Sequence, residues 1–299
     1  MTAGGEGLDE FRDRYEETME RMFAAVGALY AEHWGEFFHF ALFDDSEDGG
    51  SDAAWEAAFA RTHARYAEAL RVADASNVLE VACGRGAFAE YLAARTTGRV
   101  LGIDIARAQL AAAERRRRPN LGFLRHDAMH VAALGARFDA VACLDAECYF
   151  PDKAAAVAGI AEAMRPGARF LLVAWCRRER LGKAQARMVL CPLMHAWGIA
   201  GLETASAYRR HFRRAGLRLV EEADLNAQAQ PNWERGYRRA LEALRGFSPV
   251  SAARLLWNGL PVGADGIRLI EDQFAAALYI KAAFDAGFLR YTYFLAERG

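Results

Sequence analysis

The sequence predicts an α/β protein with a doubly wound, mostly parallel sheet, and three observations carry that expectation. From Asn77 onward, apolar runs of strand length alternate with stretches of helical periodicity. A glycine-bearing turn follows the first run, and acidic residues lie in or just beyond each of the first three. In an open α/β sheet the ligand crevice forms beyond the carboxyl ends of the strands.

Composition narrows the class. The chain has 299 residues, of which 53% are hydrophobic, 26% charged and 11% aromatic, which excludes disordered, collagen-like and disulfide-scaffold proteins. Lys plus Arg total 38 against 39 Asp plus Glu, a formal charge of −1, so no overall field attracts a polyanion and nucleic acid is not an expected partner. Cys83, Cys143, Cys148, Cys176 and Cys191 form no Cys-x-x-Cys pair and mostly lie in apolar runs, which predicts reduced thiols and a cytoplasmic protein. No run reaches the roughly 18 to 20 apolar residues of a membrane span, so stable membrane insertion is not expected. The opening MTAGGEGLDEFRDRYEE does not read as a secretory leader. No histidine pair with a third ligand nearby shows metal-binding spacing, so no metal is expected.

The elements follow in order. Residues 8 to 70 read as helices over Phe11 to Leu29 and Trp55 to Leu70. Between them, Trp34 to Phe43 packs four Phe and a Trp into ten residues, read either as core or as a cap over a substrate, and Asp44 to Asp52 reads as a loop. Strands are predicted at Val78 to Ala82, Val100 to Ile103, Leu121 to Leu124, Ala140 to Leu144 and Phe170 to Trp175. Helices are predicted between them at Ala87 to Arg95, Ala106 to Arg116 and Ala154 to Met164, the last stopped by a turn at Arg165-Pro166-Gly167. Residues 178 to 216 read as mainly helical, Leu217 to Leu225 as a strand, 231 to 287 as helices broken at Gly259 to Gly266, and Arg290 to Leu295 as a final strand.

Three strand ends describe a ligand. Glu80 lies inside the first run and is followed by Cys83-Gly84-Arg85-Gly86, whose glycines permit a tight turn and close ligand approach. Asp104 comes 18 residues after Gly86, near the spacing at which a carboxylate accepts ribose hydroxyls. Asp127-Ala128 follows the third run, where an acceptor beside a small residue suits an adenine edge. Gly84 to Ala89 also fits the loose dinucleotide fingerprint, so a nicotinamide oxidoreductase is a rival reading. Glu80 argues against it, because a carboxylate there would repel a pyrophosphate and suits the ammonium of an amino-acid tail. Ribose, adenine and a cationic amino-acid tail together describe S-adenosyl-L-methionine.

Val78-Leu79-Glu80-Val81-Ala82-Cys83-Gly84-Arg85-Gly86, Gly102-Ile103-Asp104-Ile105, His126-Asp127-Ala128 and Arg165-Pro166-Gly167-Ala168-Arg169-Phe170 resemble the class I S-adenosylmethionine-dependent methyltransferases, with Ala82 in place of the usual first glycine. Trp34-Gly35-Glu36, His39 and Asp145 to Lys153 resemble the small-molecule branch with tocopherol and sterol C-methyltransferases and related N- and O-methyltransferases. The resemblance implies a seven-stranded sheet with its last strand antiparallel, a helical cap over residues 1–75, a cofactor-binding core over 76–176, and the rest of the sheet with lid insertions over 177–299. It implies cofactor contacts from Glu80, Ala82, Gly84, Gly86, Asp104, Ile105, Gln109, Asp127, Ala128 and Trp34.

Many relatives carry a Glu-His pair where this chain has Cys148-Tyr149, so the usual base is absent. Candidates for its work are Tyr149, His39 and Asp145. If 145–149 is helical, Asp145 and Tyr149 share a face; otherwise Asp145 caps the helix and Tyr149 packs. His39 is a base, a lid residue or a structural histidine among phenylalanines. The arginines at 115–118 read as a helix end, while 177–180 and 209–214 leave an anionic group on the substrate open. The expected activity is methyl transfer to a small, hydrophobic secondary metabolite or lipid, with a non-catalytic S-adenosylmethionine-binding protein as a further rival. A homodimer is left open.

Overall fold

The computed structural model describes residues 14–35, 37–44, 49, 51–246 and 264–299. Seven strands form one sheet in the order β3-β2-β1-β4-β5-β7-β6: β1 Asn77–Val81, β2 Arg99–Asp104, β3 Leu121–Arg125, β4 Phe138–Leu144, β5 Met164–Arg177, β6 Leu217–Asp224 and β7 Leu289–Arg298. β1 to β5 pair in parallel, and β7 runs antiparallel to both its neighbours. The chain leaves β1 toward β2 on one side and reaches β4 on the other, so the topological switch lies between β1 and β4. A crevice belongs at their carboxyl ends.

Helices cover both faces, which is why the inner strands read as unbroken apolar runs. Val78, Ala140, Leu171, Val173, Trp175, Tyr291 and Tyr293 face one core, while Leu79, Val81, Val141, Phe170, Leu172 and Phe294 face the other. The first core is closed by α1 (Tyr15–Trp34), α2 (Asp52–Ala69) and α8 (Asn226–Arg245). α2 starts at Ser51, whose side chain accepts the Ala54 N–H, and buries Trp55, Phe59, His63 and Tyr66 along one stripe. The second core is closed in part by α5 (Lys153–Ala163) and α7 (Ala205–Arg214).

Several boundaries differ from expectation. Arg165-Pro166-Gly167 is not a turn ahead of the strand but a bulge inside β5: Phe138 pairs with Met164 and Ala140 with Arg169, so residues 165–168 oppose Asp139 alone. Asp139 holds this bulge through Arg165 at 2.8 Å and the N–H groups of Ser76 and Asn77. The helix expected over 106–116 is α4, Arg107–Ala113, continued by a 3₁₀ turn at Glu114–Arg116. α8 begins at Asn226, ahead of the predicted 231, and carries Pro231 inside it. α9 spans Ala264–Asp285, and most of the predicted break before it lies outside the described residues. Among the described residues no helix is long and apolar enough to cross a membrane.

Candidate functional site

At the end of β1 the backbone turns sharply through Ala82, Gly84 and Gly86, with φ of 55°, 54° and 76°. Gly84 and Gly86 adopt this region freely, whereas Ala82 is strained there, since its Cβ crowds the following carbonyl. Gly86 is also needed for space, because a Cβ there would meet the Phe123 ring at 2.6 Å. Asp104, at the end of β2, braces the loop: one carboxylate oxygen accepts Gly84 N–H at 2.9 Å and the other Ala106 N–H at 2.8 Å. Burial raises its pKa to about 6 against the pull of these N–H groups and that of Ile105.

Glu80 is 5% exposed. Burial pushes its carboxyl up to about 8, with the Ala89 N–H pulling the other way, and its Oε2 has no hydrogen-bond partner. A buried acceptor without a donor costs about 1 to 3 kcal/mol; a ligand ammonium placed there would remove that cost. Asp127 caps the short 3₁₀ stretch Ala128–Leu134, accepting Met129 N–H at 2.9 Å, with Ala128 buried behind it. Gln109 is buried beside the loop, 3.7 Å from the position a Cβ on Gly84 would take. The groups at the ends of β1 to β3 therefore fit the expected cofactor, with a carboxylate for each polar part.

α1 closes this end of the sheet. Glu20 accepts Arg107 N–H at 2.8 Å, and Glu16 pairs with Arg125. Tyr15 is held far above its ordinary pKa by burial first and then by the charges of Asp127 and Asp104. Sequence reading missed Tyr15 because nothing local sets it apart from other helical aromatics. Trp34 ends α1, and its side chain lies outside the described residues, as does Glu36.

The aromatic segment after α1 is an extended strap crossing to the other half of the sheet. Its backbone is matched by distant side chains: Phe40 N–H donates to Asp145 at 3.0 Å, Ala41 N–H to Asn232 at 2.9 Å and Leu42 N–H to Thr62 at 2.7 Å. His39 points into the core. Its Nε2 meets His63 Nε2 at 2.9 Å and its Nδ1 meets Phe40 O at 3.2 Å, among Phe37, Phe59 and Phe88. Burial lowers its pKa to about 4, and that of His63 to about 2. Both ring nitrogens are thus engaged inside the protein, a latch between strap and α2.

The segment after β4 is not the expected helix, while Tyr149 packs as one of the two readings had it. Asp145 takes φ 53° and the chain then makes a single 3₁₀ turn, Glu147–Tyr149, so no helix face carries Asp145 and Tyr149 together. Asp145 does not cap a helix either; Asp152 caps α5 by accepting Ala155 N–H at 2.9 Å. Tyr149 packs edge-on against Phe23, ring centroids 5.9 Å apart. Burial raises Asp145 well above the carboxylate range, with the Tyr291 and Trp175 side chains and the Phe40 N–H as donors pulling the other way. Glu147 accepts Trp175 N–H at 2.9 Å and is pushed up to about 7 by burial. Tyr66, Tyr291 and Trp175 had no signal in the sequence beyond core aromatics.

In the 115–118 run Arg116 and Arg118 each pair with Glu90 at 2.6 Å and Arg117 with Glu114 at 2.6 Å, and in the 209–214 run Arg209 pairs with Glu222 at 2.8 Å.

Residues 78–167 match the family described as a methyltransferase domain. Methyltransferase GfsG of Streptomyces halstedii is 30% identical over 55% of this chain and 60% of its own length. The 27-O-demethylrifamycin SV methyltransferase of Amycolatopsis mediterranei is 27% identical over 81% and 82%, and the tocopherol O-methyltransferase of Arabidopsis thaliana 26% identical over 79% and 69%. The fold is shared with a putative sarcosine dimethylglycine methyltransferase from Galdieria sulphuraria, TM-score 0.73 at 16% identity over 91% of this chain and 97% of that one. The matched domain covers the strands that carry Glu80, Asp104 and Asp127, and these matches support a class I S-adenosylmethionine-dependent methyltransferase.

Proposed function

We propose that this chain transfers a methyl group from S-adenosyl-L-methionine to a small, hydrophobic metabolite in the cytoplasm. The carrying observation is Glu80, a buried carboxylate with an unmatched oxygen at the switch point, which suits a ligand ammonium and repels a pyrophosphate. Asp104 would take the ribose hydroxyls, Asp127 with Ala128 the adenine edge, and Ala82, Gly84, Gly86, Ile105 and Gln109 the wall. The bound cofactor supplies a sulfonium methyl whose carbon–sulfur electron pair stays on sulfur.

The chain's own contribution is orientation in a dry site, an effect that supplies up to about 7 to 11 kcal/mol in favourable cases. A group that takes the acceptor's proton adds about 10²- to 10⁴-fold. His39 has both nitrogens engaged and Tyr149 lies against Phe23; Asp145 is the candidate whose carboxyl keeps an oxygen unmatched. Hydrophobic acceptors suit the aromatic surroundings of Phe40, Trp175, Trp233 and Phe284.

Calorimetry with S-adenosyl-L-methionine and with NAD tests the ligand: binding of the first and none of the second is expected, and the reverse result overturns the reading. Incubation with methyl-labelled cofactor and fractionated host extract, with mass spectrometry of the product, then identifies the acceptor. Cofactor binding with no labelled product from any fraction would favour a non-catalytic binding protein.

A further inference from the structure

Three aromatic rings form a row from the loop after β1 to the turn after β4. Phe38, on the strap, lies against the glycine loop: its Cδ2 is 3.7 Å from the position a Cβ on Gly84 would take. Phe23, on α1, stands in the middle and meets the other two edge-on, with ring centroids 6.0 Å from Phe38 and 5.9 Å from Tyr149. Backbone contacts hold the row in place. The Phe40 N–H, on the same strap as Phe38, donates to Asp145 after β4 at 3.0 Å, and Glu20, one turn of α1 before Phe23, accepts the Arg107 N–H beyond β2 at 2.8 Å. α1 also packs closely on Gly198, where a Cβ would stand 3.5 Å from Met22 Sδ.

The row borders open space. Phe23, Phe38, Ala82 and Gly84 are half-buried, whereas Cys83, Gly86 and Tyr149 in the same two turns are buried. The two loop glycines differ in what surrounds them. A Cβ on Gly86 would strike Phe123 at 2.6 Å, but a Cβ on Gly84 would meet nothing beyond its chain neighbours nearer than 3.7 Å, the distance of both Phe38 Cδ2 and Gln109 Nε2. That is ordinary van der Waals contact, so a methyl-sized space lies between Gly84, the Phe38 ring and the Gln109 amide. Packing does not require a glycine there, which leaves the close approach of a ligand as a reason for one.

The chemistry of the space selects what fills it. Aromatic rings attract a cation through their quadrupole, which an aliphatic side chain of similar size does not. In S-adenosyl-L-methionine the cationic sulfur joins the amino-acid tail to the ribose. With the ammonium assigned to Glu80 and the ribose to Asp104, the sulfur belongs at the loop that links them, and Asp104 grips that loop through the Gly84 N–H at 2.9 Å. This is the loop against which Phe38 lies. Resting on the methyltransferase reading above, we propose that Phe38 binds the sulfonium charge of the methyl donor, with Phe23 and Tyr149 holding its ring in place, so that the site distinguishes the charged donor from its neutral thioether product. Phe23 and Tyr149 are positioning residues. Loss of the charge on methyl transfer then weakens the hold on the product and favours its release.

Calorimetry of the full chain with S-adenosyl-L-methionine and S-adenosyl-L-homocysteine, ligands differing by one methyl and one charge, tests this. Phe38→Leu should weaken the first about 2- to 30-fold relative to the second. Phe38→Tyr keeps the ring and should keep the wild-type ratio of the two affinities, and Phe23→Leu should lower that ratio less than Phe38→Leu does. Replacing Phe38 by pentafluorophenylalanine keeps the shape of the ring and reverses its charge distribution, so the ratio should fall there too, whether or not leucine packs well at this position. An unchanged ratio in the fluorinated protein, or equal weakening of both ligands in Phe38→Leu, is what a merely structural ring would give and would overturn the proposal. Wild-type protein that binds neither ligand would instead overturn the methyltransferase reading.

Discussion

The two halves of the strand ends hold their carboxylates in opposite ways. On the β1–β2–β3 side, Asp104 and Asp127 are bonded to N–H groups of residues one or two positions along the chain or in the adjoining loop. On the β4–β5–β7 side, Asp145 receives Phe40 N–H from 105 positions away and keeps an unmatched oxygen among side chains of three other elements. The first half is organised by short stretches of backbone, the second by the meeting of distant segments. The first arrangement can be read from the chain a few residues at a time, whereas the second exists only where segments that vary independently meet.

Breaking the local half should give the largest effect. Asp104→Ala removes the brace on Gly84 together with the proposed ribose acceptor, and charged hydrogen bonds of about 1.5 to 3 kcal/mol each imply roughly 100-fold weaker S-adenosyl-L-methionine binding by calorimetry. Unchanged affinity would remove Asp104 from the site. Glu80→Gln should weaken the same binding by at least about tenfold and change the pH response of the free protein. Burial raises the Glu80 pKa to about 8 from its ordinary 4.5, so the folded state retains a proton that the unfolded chain has lost. Stability is therefore higher at low pH and is lost as pH rises through about 8; between pH 7 and 8.5 the Glu80 contribution falls by about 1 kcal/mol. Thermal melts should show this slope in the wild type and a shallower one in Glu80→Gln, with Asp145 and Glu147, whose carboxyls burial also raises, supplying the remainder.

The strap joining the halves should respond next. His63→Phe leaves His39 Nε2 without its partner, a loss of about 1 to 3 kcal/mol in denaturant unfolding. If His39 acts only as a latch, turnover at saturating acceptor stays near wild type below the melting transition; a drop of two orders of magnitude would restore it as a base. The smallest effect belongs to the glycine loop. Ala82→Gly relieves a left-handed alanine, worth about 1 to 2 kcal/mol, against the extra freedom that glycine gives the unfolded chain. A net gain of about 0.5 to 1 kcal/mol is expected, and destabilisation would show that the Ala82 methyl packs usefully.

The strand and helix alternation was legible because each inner strand is a continuous apolar run bounded by turns. Residues 77–177 show it: β1 and β2 begin and end within one residue of the predicted runs. The Arg165-Pro166-Gly167 bulge was not, since a Pro-Gly pair signals a turn locally and only pairing with Phe138 and Ala140 makes it part of a strand. Glu80, Asp104 and Asp127 could be picked out because they stand at fixed offsets from a glycine turn or a strand end. Tyr66 and Tyr291 could not, because a tyrosine on a buried helix stripe or in an alternating strand looks the same whether its hydroxyl is bonded, buried idle or aimed at a ligand.

The sequence by itself determined the sheet, its switch point and the carboxylates at the ends of β1 to β3, because hydrophobic period and turn chemistry act over a few residues. Only the tertiary structure decided that Asp145 turns out of any helix, that His39 is spent on His63, and that Tyr66, Trp175 and Tyr291 meet around one carboxylate. Those outcomes depend on the strap at residues 37–44 and on the antiparallel insertion of β7 between β5 and β6, contacts between segments far apart in the chain that no local pattern encodes.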